Sequence, residues 1–240
     1  MLYDAVVVGG GVMGSSTTYH LSKRRRDVLL LDQFPLNPCS ENKETKTNHD
    51  EGKIGSSGGK SRVYRNVHAD ELHARMAMES IKMWRQLEKE SGIDILVECG
   101  CLSFAAGVEK SGGGGSGEVE EEEIQSAIEE SASILSSLGV PAESLKDAAS
   151  LGHRFPQMNF FNGEVGVLDV TAGVVKVEAA LEAFRRVALK NGADIRGGET
   201  VVGVWEEEED GEGEIADNSD ARTVVVKTNT GALYRCRRLI

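Results

Sequence analysis

The feature that most constrains this chain is a glycine-rich turn between a strand and a helix near its start. Tyr3–Val8 is an apolar, β-branched run that predicts a buried parallel strand. Gly9, Gly11 and Gly14 follow it with the spacing Gly-x-Gly-x-x-Gly, and a second predicted strand ends at Asp32 after an intervening helix. This order of strand, turn, helix, strand and acid predicts a dinucleotide-binding βαβ unit.

The glycines and the acid each have a physical role in such a unit. Gly9 permits the tight turn, Gly11 lets the backbone approach a pyrophosphate, and Gly14 allows the helix to pack closely on the strand. The N-terminus of the helix supplies N–H donors and a positive dipole. Asp32 is placed to accept from ribose hydroxyls and disfavours a 2′-phosphate, so NADP is not expected. The alternative is a glycine-rich turn in some other α/β fold.

The charge of the chain sits in two acidic stretches and does not indicate a partner. The formal net charge is −12, but residues 118–123 and 206–220 hold 14 of the 39 acids and no base. The remaining 25 acids face 27 bases, so these stretches are interpreted as solvated loops. No basic stripe predicts nucleic-acid binding, and no apolar run approaches the length of a membrane span.

A second motif, Gly55–Arg65, combines small residues with two arginines. Ser56 and Ser57 are followed by Arg62 and Arg65, three positions apart. Small residues fit closely around a phosphate or a cofactor ring, and guanidinium groups bind carboxylates through a planar fork. On these residues alone, the alternative is a flexible polar loop.

Cysteine and histidine residues indicate no metal site. Cys99 and Cys101 lie in a strand-like segment without a second cysteine pair, and are interpreted as structural thiols. The five histidines show no ligand spacing. No metal is therefore expected.

Several segments in this order resemble the FAD-dependent amine oxidase family typified by monomeric sarcosine oxidase, with peroxisomal sarcosine/pipecolate oxidases as relatives. The segments are Tyr3–Asp32, the Gly55–Arg65 run, Gly166–Asp169, Gly192–Ile195 and Thr200–Val202. The resemblance implies an α/β fold, in which an FAD-binding Rossmann-like (GxGxxG) domain is interleaved with a mixed-sheet substrate domain. It also implies that the C-terminal part of the family fold is missing.

The same resemblance assigns roles to individual residues. Arg62 would lie beside the flavin ring and Arg65 would pair with the substrate carboxylate, so these two are the catalytic candidates. The resemblance places FAD contacts at Gly9, Gly11, Val12, Met13, Gly14, Asp32, Ser56, Ser57, Arg62 and Val202. Where family members commonly have a histidine after the paired serines, this chain has Gly58.

The resemblance divides the chain into three segments. Residues 1–93 would be an FAD-binding segment, and residues 94–168 a substrate-domain segment with a low-complexity insert at 107–123. Residues 169–240 would return to the FAD-binding domain, carry an acidic insert at 206–222 and end truncated.

The reaction implied is oxidation of the C–N bond of a secondary amino acid, of the sarcosine or pipecolate type. The product would be an imine, with O2 reduced to H2O2. The expected partners are an amino-acid-like amine and O2, with no nucleic acid and no membrane. The chain is expected to be a monomer inside the cell, in the peroxisome or the cytoplasm. Two alternatives stay open: an NAD-dependent Rossmann dehydrogenase, and a non-catalytic truncated fragment of a flavin oxidase.

Overall fold

The computed structural model describes residues 1–36, 55–104, 121–207 and 223–240 of the chain. The sequence also predicts a long polar loop over residues 35–54, because that stretch is polar and contains Pro35 and Pro38. This loop, the low-complexity insert at 107–123 and the acidic insert at 206–222 lie mostly outside the described residues. The elements in chain order are β1 (Leu2–Tyr3), β2 (Ala5–Val8), α1 (Val12–Lys23), β3 (Val28–Asp32), β4 (Ser61–Tyr64), α2 (Glu71–Ser91), β5 (Leu96–Glu98), β6 (Cys101–Phe104), α3 (Glu121–Ser137), β7 (Ala142–Leu145), α4 (Ala148–Arg154), β8 (Gly166–Asp169), β9 (Gly173–Lys176), α5 (Val177–Lys190), β10 (Asp194–Gly197), β11 (Val201–Glu207), β12 (Thr223–Thr228) and β13 (Leu233–Cys236).

The chain divides into two compact units, each made of separate stretches of sequence. Unit 1 comprises Met1–Lys60, Leu87–Asp94 and Val177–Ile240, and unit 2 comprises Ser61–Gln86 and Ile95–Lys176. None of the helices in the described part of the chain is long and apolar enough to cross a membrane.

Unit 1 is built on a parallel sheet with the strand order β10-β3-β2. The middle strand is apolar because both of its faces are covered, and Leu29–Leu31 are fully buried. Residues 238–240 extend the sheet beyond β2, where Leu239 bridges Val6 in parallel. Helix α1 packs against α5. The carboxyl ends of the parallel strands therefore lie at one edge, next to the glycine-rich turn.

A second sheet of unit 1 has the order β1-β13-β12-β11, in which β1 is parallel to β13 and the other pairs are antiparallel. A buried cluster joins residues of the two sheets: Tyr3, Val6, Leu29, Leu31, Val226, Tyr234 and Cys236. The predicted parallel strand is confirmed over Ala5–Val8, but it does not reach Tyr3, because β1 and β2 belong to different sheets. The break falls at Asp4, whose carboxylate accepts from the amide of Asp27 at 3.1 Å.

Tyr3 gives this cluster a pH-dependent contribution. Its hydroxyl donates to Asp194 at 2.6 Å, and burial together with that carboxylate raises the pKa of Tyr3 to about 12. The stabilisation is complete below the unfolded pKa of about 10 and is lost as the pH rises through the folded value. We expect the free energy of unfolding to fall by about 2 to 3 kcal/mol over this range through Tyr3 alone.

Urea unfolding of the wild type and of Tyr3→Phe, at about pH 9 and about pH 11, measures about half of this contribution, because pH 11 lies midway between the unfolded and the folded pKa of Tyr3. The phenylalanine variant should lose less stability than the wild type between the two pH values. An equal loss in both proteins would contradict the assignment to Tyr3.

Unit 2 holds two three-stranded sheets, with the orders β4-β9-β5 and β6-β8-β7. The resemblance implies a mixed sheet for the substrate domain, and the strand pairs that the structure describes in unit 2 are antiparallel. Its helix α3 contributes to a buried cluster formed by Val67, Leu135, Val140 and Val167.

The boundaries between units differ from the predicted division at residues 93 and 168. Ser61–Gln86 belongs to unit 2 because β4 pairs with β9 along its whole length. The return to unit 1 comes at Val177, since β8 and β9 both belong to unit 2. The naming of the segments as FAD-binding or substrate-binding stays a prediction.

Candidate functional site

The glycine-rich turn lies where β2 ends and α1 begins. Gly9 has φ of +104°, a conformation that side chains with a Cβ rarely adopt, and its amide donates to Leu31 at 2.7 Å. A Cβ at Gly14 would lie 1.8 Å from the carbonyl oxygen of Gly9. The turn and the first turn of α1 are therefore in contact through backbone atoms, and glycine is required at both positions.

One amide at the N-terminus of α1 donates to a side chain from far along the sequence, and among the described residues the other amides of the first turn stay open. Gly11 is the N-cap residue and offers no side chain of its own, and the first turn of the helix holds no acid. The amide of Val12 donates instead to the Ser57 hydroxyl at 2.9 Å. Met13 beside it is 79% exposed. The positive end of the helix dipole thus points to an exposed surface lined by small residues, which suits an anion.

Asp32 ends β3 beside this turn and is half-buried. One of its carboxylate oxygens accepts from the amide of Gly10, and the other from the amide of Phe34 at 2.7 Å. Each oxygen keeps a further lone pair that can accept a hydroxyl proton. The two amides fix the direction of the carboxylate and hold it at the turn.

Two residues of this site are not singled out by the glycine motif. Gly10 occupies an unspecified position of that motif, although its amide donates to the Asp32 carboxylate. Ser15 is almost fully buried, and its hydroxyl donates to the carbonyl of Gly10 at 2.9 Å. A small hydroxyl residue directly after the third glycine was the available signal, because it can reach back to the turn.

The other candidate FAD contacts in unit 1 are Ser56, Ser57 and Val202, which lie outside the glycine turn. Ser56 and Ser57 belong to a turn in which the amide of Gly58 donates to Gly55 at 2.8 Å, and Ser56 is exposed. Val202 is 58% exposed on β11, the edge strand of the second sheet, at an irregularity of the register. The structure therefore brings the turn, Asp32 and Ser57 together through direct contacts.

The two arginine candidates belong to unit 2. The sequence alternative of a loop is wrong for Arg62, which lies in β4, paired with Val175. Its guanidinium is exposed and donates to the carbonyl of Ser61 at 2.7 Å. Arg65 follows the strand and is exposed, and within the described part of the chain it has no hydrogen bond or ion pair. An exposed guanidinium of this kind is available to a carboxylate ligand.

A buried aspartate holds the backbone next to Arg65. Asp169 is fully buried at the end of β8 and accepts from the amide of Asn66 at 2.7 Å. It also accepts from Thr171, through the hydroxyl at 2.8 Å and the amide at 3.0 Å. Among the described residues it has no cationic partner. The sequence carries a signal for this turn, because the spacing Asp-x-Thr of Asp169 and Thr171 is typical of it.

Within residues 1–36, 55–104, 121–207 and 223–240, no group of three or more histidine, cysteine or acidic side chains is placed to hold a metal ion. Burial raises the pKa of the Cys101 thiol, although the Arg65 guanidinium acts in the opposite direction. A thiol with a raised pKa is a poor nucleophile.

A parallel sheet whose strand ends carry a tight glycine turn, an open helix N-terminus and an oriented carboxylate defines a dinucleotide-binding α/β protein. The chain belongs to the FAD dependent oxidoreductase family (DAO), whose sequence model matches residues 4–238. The cofactor of that family is FAD, as expected from the sequence, and the predicted α/β class with an FAD-binding fold is confirmed.

Individual relatives support this assignment. The chain is 33% identical to peroxisomal sarcosine oxidase of Homo sapiens over 84% of its own length and 44% of that protein. The corresponding protein of Mus musculus is 32% identical over 83% and 43%. The structure of NikD, an unusual amino acid oxidase essential for nikkomycin biosynthesis, matches 99% of this chain and 50% of its own, with TM-score 0.67 and 25% identity. The chain thus spans less than half the length of the curated relatives it matches.

Proposed function

We propose that this chain forms the FAD cradle of an oxidoreductase that oxidises the C–N bond of a secondary amino acid to an imine, with O2 reduced to H2O2. The observation that carries the proposal is the backbone contact between Gly9 and Gly14 beside the oriented carboxylate of Asp32. A Cβ at Gly14 would collide with the carbonyl oxygen of Gly9 and so displace the helix from the turn. The names of the relatives, sarcosine oxidase and amino acid oxidase, support an amino acid substrate.

The cofactor roles follow from where the donors and acceptors point. The open helix N-terminus would hold the pyrophosphate, and Asp32 would accept from the adenosine ribose. The pyrophosphate contacts fall to Gly9, Gly11, Val12, Met13 and Gly14, and further FAD contacts to Ser56, Ser57 and the backbone of Val202. Ser57 already accepts from the first helical amide, so its hydroxyl would share that amide with the pyrophosphate.

The two arginines would orient the substrate and adjust the charge around it. Arg65 would bind the substrate carboxylate through its planar fork, which fixes the C–H bond beside the amine. Arg62 would add fixed positive charge beside the flavin ring. When bound, FAD would supply the acceptor for the hydride lost from that C–H bond and the route for its two electrons to O2, while the amine nitrogen would lose a proton to leave the imine.

Reconstitution with FAD tests this proposal. Binding to the purified chain should quench the fluorescence of FAD and shift the flavin absorbance band at about 450 nm. Asp32→Ala should weaken FAD binding by about tenfold or more, because a hydrogen bond to a charged group is lost. The matched control is Asp27→Ala, since Asp27 is exposed directly before the opposite end of β3. Failure of the wild-type chain to bind FAD in titrations up to millimolar concentration would reject the proposal.

Location and assembly are part of the same proposal. The relatives named peroxisomal sarcosine oxidase support a peroxisomal location over a cytoplasmic one. The relatives named monomeric sarcosine oxidase support a monomer with a small-molecule substrate. Fluorescence microscopy of a tagged chain and light scattering of the purified protein test these two points.

A further inference from the structure

The turn between β10 and β11 presses against the segment that follows Asp32. The amide of Glu199 donates to the carbonyl of Asp32 at 2.9 Å, and the amide of Gly198 donates to the carbonyl of Phe34 at 3.0 Å. A Cβ at Gly197 would lie 2.1 Å from the amide nitrogen of Leu36. Position 197 therefore requires glycine, because the β10–β11 turn and the segment after Asp32 are in backbone contact there. We call residues 197–199 the clamp.

The clamp is anchored on its other side by the Glu199 carboxylate. This side chain is only 14% exposed, and it accepts from the Tyr234 hydroxyl at 2.9 Å and from the Thr228 hydroxyl at 3.1 Å. The Arg196 guanidinium lies 3.9 Å away and compensates its charge. Tyr234 belongs to the buried cluster of unit 1. Glu199 is thus fixed to the second sheet while its amide holds Asp32.

Asp32 is consequently held from two directions. The clamp fixes its main-chain carbonyl, and the amides of Gly10 and Phe34 fix its carboxylate. The turn after Asp32 also lies over the glycine motif, because a Cβ at Gly10 would come within 3.0 Å of the Leu36 side chain. A shift of the clamp would therefore move both the carboxylate and the surface beside the turn.

We propose that Gly197 and Glu199 are positioning residues for the adenosine end of the cofactor. They act through Asp32, whose carboxylate they hold where a ribose hydroxyl can donate to it. The inference rests on the proposed role of Asp32. It adds two residues that no motif of the sequence singled out, and it locates the control of ribose recognition in the β10–β11 turn.

The test compares ADP with 2′-deoxy-ADP, because these probes carry the adenosine and pyrophosphate without the flavin. Calorimetric titration of the wild-type chain should show about tenfold tighter binding of ADP, since only ADP can donate its 2′-hydroxyl to Asp32. In Glu199→Gln and Gly197→Ala the preference should fall to about twofold or less. The matched control is Glu178→Gln, which changes an exposed acid in the first turn of α5 and should keep the full preference.

The preference for ADP separates positioning from a structural role. A variant that is merely less stable binds both probes more weakly in the same proportion, and an unchanged preference in folded Glu199→Gln would overturn the inference. If Gly197→Ala does not fold, the preference of Glu199→Gln for ADP still tests the inference. A wild type that binds ADP without any preference also overturns it. A wild type that binds neither probe rejects the proposed function itself, and the clamp with it.

Discussion

Replacing Gly14 with alanine is expected to abolish detectable binding of FAD by this chain. The new methyl carbon would lie 1.8 Å from the carbonyl oxygen of Gly9, whereas unstrained contacts are about 3.5 Å. The obstacle is backbone, so no side chain can rotate away from it, and α1 must move relative to β2. The amides at the start of α1 would then no longer converge on the pyrophosphate. We expect the affinity for FAD to fall by at least about 100-fold, equal to about 2.7 kcal/mol.

Stability should change in the same direction, by about 1 to 3 kcal/mol, which is typical of overpacking. The matched control is Gly152→Ala, because Gly152 also lies in a helix and a Cβ there meets nothing within 4 Å. That variant should be unchanged or more stable by up to about 1 kcal/mol, since alanine favours helix. FAD titration and urea unfolding of both variants measure the two effects. Wild-type affinity in Gly14→Ala would show that the turn does not hold the pyrophosphate.

The glycine turn and Asp32 were predictable because their physics is local. The need for glycine at Gly9 and Gly14 follows from sequence spacing. The helical pattern after the turn predicts a helix over Val12–Ser22, and the structure has α1 at Val12–Lys23. The uninterrupted β-branched run of valines predicts a strand over Thr223–Thr228, which has the bounds of β12.

Other parts of the fold depend on partners that the local sequence does not reveal. Ser61–Tyr64 reads as the end of a polar loop, and it becomes β4 because β9 lies more than a hundred residues further along the chain and pairs with it. The amide of Val12 receives its cap from Ser57, 45 positions away. The amide of Asn66 is held by Asp169, 103 positions away. Such contacts form only when the sheets assemble, so no spacing rule predicts them.

Replacing Asp169 with alanine is expected to cause a large loss of stability in unit 2. The change leaves the amide of Asn66 and both donors of Thr171 without their acceptor, in a position with no exposed surface. Each unsatisfied buried donor costs about 1 to 3 kcal/mol, so a total of about 3 to 5 kcal/mol is expected. Asp169→Asn should lose less, because the amide keeps one acceptor oxygen of the same shape.

Asp147→Ala is the matched control, because Asp147 also accepts a backbone amide, from Ser150 at 2.7 Å, but at the exposed N-cap of α4. Water can replace that acceptor, so the loss there should be clearly smaller. Urea unfolding followed by circular dichroism ranks the three variants. If Asp169→Ala were no less stable than Asp147→Ala, the Asn66 amide would have another acceptor. Because Asn66 directly follows Arg65, the backbone that presents the proposed carboxylate-binding guanidinium would then be held by something other than Asp169.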